Sequence, residues 1–171
     1  MLLPNLLLDP QALSALQGKH DVLLVILSWL VALAASYASL EIIRLVGSTS
    51  SSLWRSTWLA AGASVMGAGV WSMHFVGMHA YRLAFHVSHG HLLTLLSVVP
   101  AIVGSLVAMT LLCREKLSHR TLILAGTSLG LGIGVMHYSG MAAMRMPATL
   151  YYALDLFLAS LVVAVGLGIL S

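Results

Sequence analysis

The sequence predicts an all-α membrane protein of about five transmembrane helices, built from a two-helix repeat with the N-terminus outside. Three observations predict it. The chain is 60% hydrophobic and only 8% charged, a balance outside the range of soluble globular domains. Its apolar residues gather into runs of about 20, long enough to cross a hydrocarbon core of ~30 Å as a helix. One stretch is also written twice, Gly67-Ala-Gly-Val-Trp-Ser-Met-His-Phe-Val-Gly-Met-His-Ala-Tyr-Arg82 returning 63 residues later as Gly130-Leu-Gly-Ile-Gly-Val-Met-His-Tyr-Ser-Gly-Met-Ala-Ala-Met-Arg145. A recurrence of that kind decides an architecture before any single residue does.

The elements follow in order. Met1–Gln17 holds a leucine cluster, but Pro4, Asn5, Asp9 and Pro10 interrupt it, and a basic n-region and a small-residue cleavage site are both missing. It reads as a retained interfacial segment rather than a signal peptide, so residues 1–21 form an outer N-terminal piece and 22–171 the membrane domain. The five spans fall near Val22–Val46, Thr57–His79, Leu92–Leu112, Leu122–Met144 and Leu154–Leu170. Repeat one then covers about 22–91 and repeat two about 92–150, while 151–171 begins a third. The last span stops at Ser171 without a polar or basic flank, which is what a piece cut from a longer protein would show. Glu41 and Arg44, three residues apart near the end of the first span, neutralise one another and reach the interface. Trp54, Trp58, Tyr151 and Tyr152 suit interfacial anchoring.

Charge sets the orientation. Arg44 and Arg55 flank the first connection and Arg114, Lys116 and Arg120 the third, whereas Lys19, Arg82 and Arg145 stand alone at the opposite ends. The positive-inside rule therefore places the first and third connections in the cytoplasm. Both copies of the repeated stretch then end a helix running outward, and His74 and His137 lie at similar depth near the outer face. Glycines 62, 67, 69 and 77 in the second span and 126, 130, 132, 134 and 140 in the fourth allow close backbone approach in lipid. They predict that these two helices are central and packed against each other.

The chemistry lies in the repeated stretch. His74 and Met78 are four residues apart and share a helical face, as do His137 and Met141; Met144 extends the second stripe. Imidazole and thioether donors from two packed helices suit copper, because the soft sulfur disfavours hard cations and imidazole accepts either oxidation state. Met73 and Met136 point about 100° away, as reserve ligands or wall. His79, His86, His89 and His91 crowd the outer loop, where the last three could capture zinc or copper. Two alternatives stay open: a b-type haem with His74 and His137 as axial ligands, and a metal-handling or transport module using the loop histidines. Cys113 sits at the opposite face without a partner and reads as a structural thiol. Five scattered acidic residues supply no paired carboxylates, catalytic triad or phosphate loop, so the chain does not read as an enzyme. Its basic residues serve topology, not nucleic acid.

Met73-His74-Phe75-Val76-Gly77-Met78 and Met136-His137-Tyr138-Ser139-Gly140-Met141 resemble the repeated element of the MHYT domain, a bacterial integral-membrane sensor module. The resemblance covers essentially the whole chain. It implies a multi-pass protein of the bacterial inner membrane that binds copper near the outer face and senses oxygen, carbon monoxide or nitric oxide. It also implies a cytoplasmic output domain in cis that makes or degrades cyclic-di-GMP, or acts as a kinase or regulator. A second copy of the chain is a further expected partner. The family pattern has threonine where this chain has Val76 and Ser139. It also carries a third copy and about seven spans, beyond what these residues include.

Overall fold

The computed structural model describes residues 19–82, 88–114, 117–145 and 154–170. Helix α1 spans Val22–Ser48 and α2 spans Ser52–Ala80. A short α3, His91–Leu96, leads through Ser97 into α4, Val98–Leu112. Then come α5, His119–Ala142, and α6, Leu154–Leu170. By length and hydropathy α1, α2, the combined α3–α4 and α5 can each cross a membrane, and the apolar run 157–169 of α6 makes a shorter fifth. The segment 1–18, His86 and the tyrosines at 151 and 152 lie outside the described residues.

Local chemistry explains the ends. The Asp21 carboxylate accepts from the backbone N–H groups of Leu23 and Leu24 at 3.1 and 3.4 Å, and the Ser118 hydroxyl oxygen accepts from that of Thr121 at 3.2 Å. Each relieves donors that a helix start leaves unpaired. The third span is not one continuous helix as its apolar run suggests. Pro100 lacks the N–H that would reach the carbonyl four residues back, and the chain turns at Ser97. Glu41 and Arg44 pair as their spacing predicts, at 2.6 Å.

Each helix packs on the next: α1 on α2, α2 on α4, α4 on α5, and α5 on α6. This corrects the expectation that the second and fourth spans lie against each other. Helices α2 and α5 hardly touch along their length, because α4 stands between them and receives Gly62 and Gly67 of α2 and Gly132 of α5. A Cβ on Gly67 would lie 2.6 Å from the Cα of Ile102 in α4, and one on Gly132 would lie 3.1 Å from the Cα of Gly104 in α4. The internal repeat is visible in these contacts. Gly130 would place a Cβ 2.6 Å from the Cα of Val165, and Gly130 and Val165 each stand 63 residues after Gly67 and Ile102. Helix α6 is therefore to α5 what α4 is to α2.

Two short antiparallel ladders close the outer end. Strand β1, Lys19–His20, pairs with β2, Tyr81–Arg82, and β3, Ser88–His89, pairs with β4, Met144–Arg145. The Asp21 N–H donates to the Ala80 carbonyl, and the Gly90 N–H donates to the Ala143 carbonyl, each at 2.8 Å. Each two-helix unit thus begins and ends at one place. At the opposite end the Arg55 guanidinium donates to the Cys113 carbonyl at 2.8 Å, bringing the first and third connections together as the charge pattern requires. Burial pushes the Cys113 thiol above its ordinary range, against the opposing charge of Arg55, which favours its protonated form.

Two outcomes test this arrangement. Gly67→Ala and Gly130→Ala should each lower thermal stability in detergent by about 1–3 kcal/mol, since a methyl there meets backbone that cannot yield locally. Among the described residues Gly77 has only the Ser28 hydroxyl near it, 3.9 Å from an added Cβ, so Gly77→Ala should be neutral or gain up to about 1 kcal/mol from helix propensity. In a Cys113→Ser background, Ser88→Cys should react with an impermeant thiol reagent from the outer side, and Ser118→Cys only after permeabilisation.

Candidate metal centre

Although α2 and α5 are held apart elsewhere, their outer ends converge. The edge of the Phe75 ring enters the space left by Gly140, where a Cβ would stand 2.9 Å from Cζ. This is the close approach that the second motif glycine permits. Gly77, its counterpart in the first copy, is not used that way and faces α1. One residue before Phe75 and three before Gly140, the two histidines meet. His137 Nδ1 and His74 Nε2 share a hydrogen bond at 3.2 Å, and the rings lie edge to face with centroids 4.8 Å apart and planes at 76°. An imidazole withdrawn from water needs partners for its polar atoms, and here the two half-buried rings satisfy one nitrogen of each.

The remaining predicted donors divide. Met78 and Met141 follow their histidines by four residues and are half-buried, as is Met73. Met136 is wholly enclosed and belongs to the packing. Met144 does not extend the stripe, because α5 ends at Ala142 and Met144 lies in β4 opposite His89. The cause is local: the Ala143 N–H still bonds back to Ser139 and Gly140, while its carbonyl is taken by Gly90, so the chain leaves the helix for the ladder. His79 bonds through Nδ1 to the Phe75 carbonyl at 2.8 Å, one turn beyond the pair. His91 is exposed at the start of α3. Ser139 directs its hydroxyl to the carbonyls of Val135 and Met136, away from the histidines.

The chemistry of this set can be tested against its geometry. Imidazole nitrogens bind a tetrahedral ion at about 2.0–2.1 Å, which puts two of them about 3.3 Å apart. The pair fits. Among the described residues no three His, Cys, Asp or Glu side chains form a metal-holding group. Axial ligation of a haem is a poorer fit, since the two nitrogens would have to stand on opposite faces of a macrocycle, and edge-to-face rings at this separation leave no slot for one.

Aromatic neighbours that the spacing argument passed over frame the pair. Trp71 and Phe75 meet as tilted rings with centroids 4.9 Å apart and planes at 44°, and Tyr138 meets Phe157 of α6 at 4.5 Å and 55°. Trp71 Nε1 donates to the Thr94 carbonyl and to Ser97 Oγ at 3.1 and 3.0 Å, and Tyr138 Oη lies 2.5 Å from Ser160 Oγ. The aromatic positions beside each histidine were the available signal.

Comparison with known proteins agrees with this architecture. The family model MHYT, described as a bacterial signalling protein N-terminal repeat, matches residues 67–125 and 130–171. The cyclic di-GMP phosphodiesterase NbdA of Pseudomonas aeruginosa is 39% identical over 84% of the chain and 18% of its own length. The bifunctional diguanylate cyclase/cyclic di-GMP phosphodiesterase MucR of the same organism is 38% identical over 88% of the chain and 22% of its own length. The signaling protein YkoW of Bacillus subtilis is 33% identical over 89% of the chain and 19% of its own length. The chain thus spans less than a quarter of each of these relatives. No solved structure matches. With its apolar spans and its twice-repeated motif, this multi-pass inner-membrane chain belongs to the MHYT family of bacterial signalling-protein repeats.

Proposed function

We propose that the chain is a sensory input domain holding a copper ion between His74 and His137, with Met78 and Met141 as thioether donors, close to the outer face. The observation that carries this reading is the approach of two imidazole nitrogens from separate repeats to 3.2 Å inside an apolar bundle. Copper in such a set supplies affinity for a diatomic gas, oxygen, carbon monoxide or nitric oxide, and the surrounding residues do the rest. The histidines fix two donors on different helices, Phe75 and Tyr138 wall the pair, and the ladders cover its outer end. Binding becomes a signal only where the ligand favours one arrangement of the helices over another. An output that makes or degrades cyclic di-GMP is supported by the names of NbdA and MucR, both of which extend far beyond the matched region.

Metal analysis of protein purified from membranes tests the reading. His74→Ala or His137→Ala should remove most copper, a larger loss than the roughly 10–100-fold drop in affinity that follows removal of an outer partner alone. Met78→Ala and Met141→Ala should weaken Cu(I) more than Cu(II), because the soft donor matters more to the softer ion. His91→Ala should change little. Copper retained undiminished in the His74/His137 double variant would refute the site.

A further inference from the structure

The two aromatic hydrogen bonds beside the histidines are one device made twice. Ser97 and Ser160 stand 63 residues apart and behave alike. Ser97 Oγ donates to the Thr94 carbonyl at 2.6 Å, and Ser160 Oγ donates to the Phe157 carbonyl at 2.8 Å, Thr94 and Phe157 being again 63 apart. With its proton so placed, each serine oxygen is left to accept. In the first unit it accepts from Trp71 Nε1 of α2, which can only donate. In the second it accepts from the Tyr138 hydroxyl of α5. The donors do not occupy matching positions: Trp71 corresponds to Gly134, and Tyr138 corresponds to Phe75, which has no hydroxyl. The same bond to the same serine is made from two different turns of the motif helix. A bond reached by two unlike residues is there for the connection it makes.

We propose that the Tyr138–Ser160 hydrogen bond is the link through which a change at the His74–His137 pair is passed to α6. His137 and Tyr138 are consecutive, so their side chains diverge by about 100°, one reaching His74 on α2 and the other Ser160 on α6. A helix turn is stiff, and whatever rotates or draws His137 must carry Tyr138 with it. Below this point α5 and α6 meet through glycines, Gly126 against Gly168 and Gly130 against Val165, where their backbones approach closely. The clasp at the outer end adds a hydrogen bond to that contact. Tyr138 is on this view a positioning residue, not a ligand. The proposal rests on the imidazole pair being the responsive site, and its test separates the two ideas.

Spin labels at Val135 of α5 and Val163 of α6, both of which face outward from the bundle at 53% and 58% exposure, report the distance between the helices in a Cys113→Ser background. Two perturbations are applied: Ag(I), a diamagnetic stand-in for Cu(I), and His74→Ala, which breaks the imidazole contact without metal. The expected result is a shifted distance under His74→Ala that is lost in Tyr138→Phe and Ser160→Ala and returns in Ser160→Thr, which keeps the hydroxyl. Ag(I) should shift the distance in the unaltered chain and still bind Tyr138→Phe without shifting it. A shift that survives loss of either hydroxyl overturns the link, as does an unchanged distance under His74→Ala. Failure of Ag(I) to bind, with the His74→Ala shift still dependent on Tyr138, would sink the metal reading and leave the link standing.

Discussion

Between helices in a lipid core there is little hydrophobic gain to be had, since a lipid tail is as apolar as a leucine side chain; what remains is contact, and contact needs small residues. The whole bundle depends on that constraint. Gly67 lets α2 reach the backbone of α4, Gly104 and Gly132 let α4 reach α5, and Gly126 and Gly130 let α5 reach α6. A row of helices each docked on the next by glycine has close interfaces but few polar pins. Among the described residues these pins include Arg55 on Cys113, Trp71 on Ser97, His74 on His137 and Tyr138 on Ser160 towards the two ends, and Ser128 of α5 on the Gly104 carbonyl of α4 between them.

Within this frame the histidine pair answers a different need. An imidazole taken from water requires a partner, and a second imidazole, from the equivalent place in another repeat, offers one without introducing a net charge. Two neutral rings joined by one hydrogen bond are tolerable in an apolar setting and remain chemically open, because a proton-sharing contact between nitrogens is also the spacing at which an ion can be held. The same geometry thus serves the empty fold and the proposed site.

The spans and the histidine pair were legible in the sequence because each is signalled by recurrence: apolar runs of one length, and His74 and His137 in matching frames. The order of packing was not. Glycine marks a close approach but not its partner, and the partner of both Gly67 and Gly132 proved to be the helix between them. Met144 looked helical by spacing, and only the Gly90 bond to Ala143 shows why the helix stops short. The aromatic clasps were hidden for a related reason. Trp71 and Tyr138 do not align with one another, and only the serines that receive them do.

The ladders of β1 with β2 and β3 with β4 bear on how such a chain could have arisen. Each joins the entry strand of a helix pair to its exit strand, so a pair begins and ends on one side of the membrane with its two ends side by side. A gene segment encoding such a pair can be duplicated in tandem without inversion, and the new copy needs only the short step from Arg82 to Ser88 to join the old one. Every duplication also presents another histidine at the depth of its predecessor. Membership of the cluster is then settled by which neighbouring copies come to lie within reach, and a lineage could gain, lose or exchange its paired histidines by counting repeats rather than by altering any one of them.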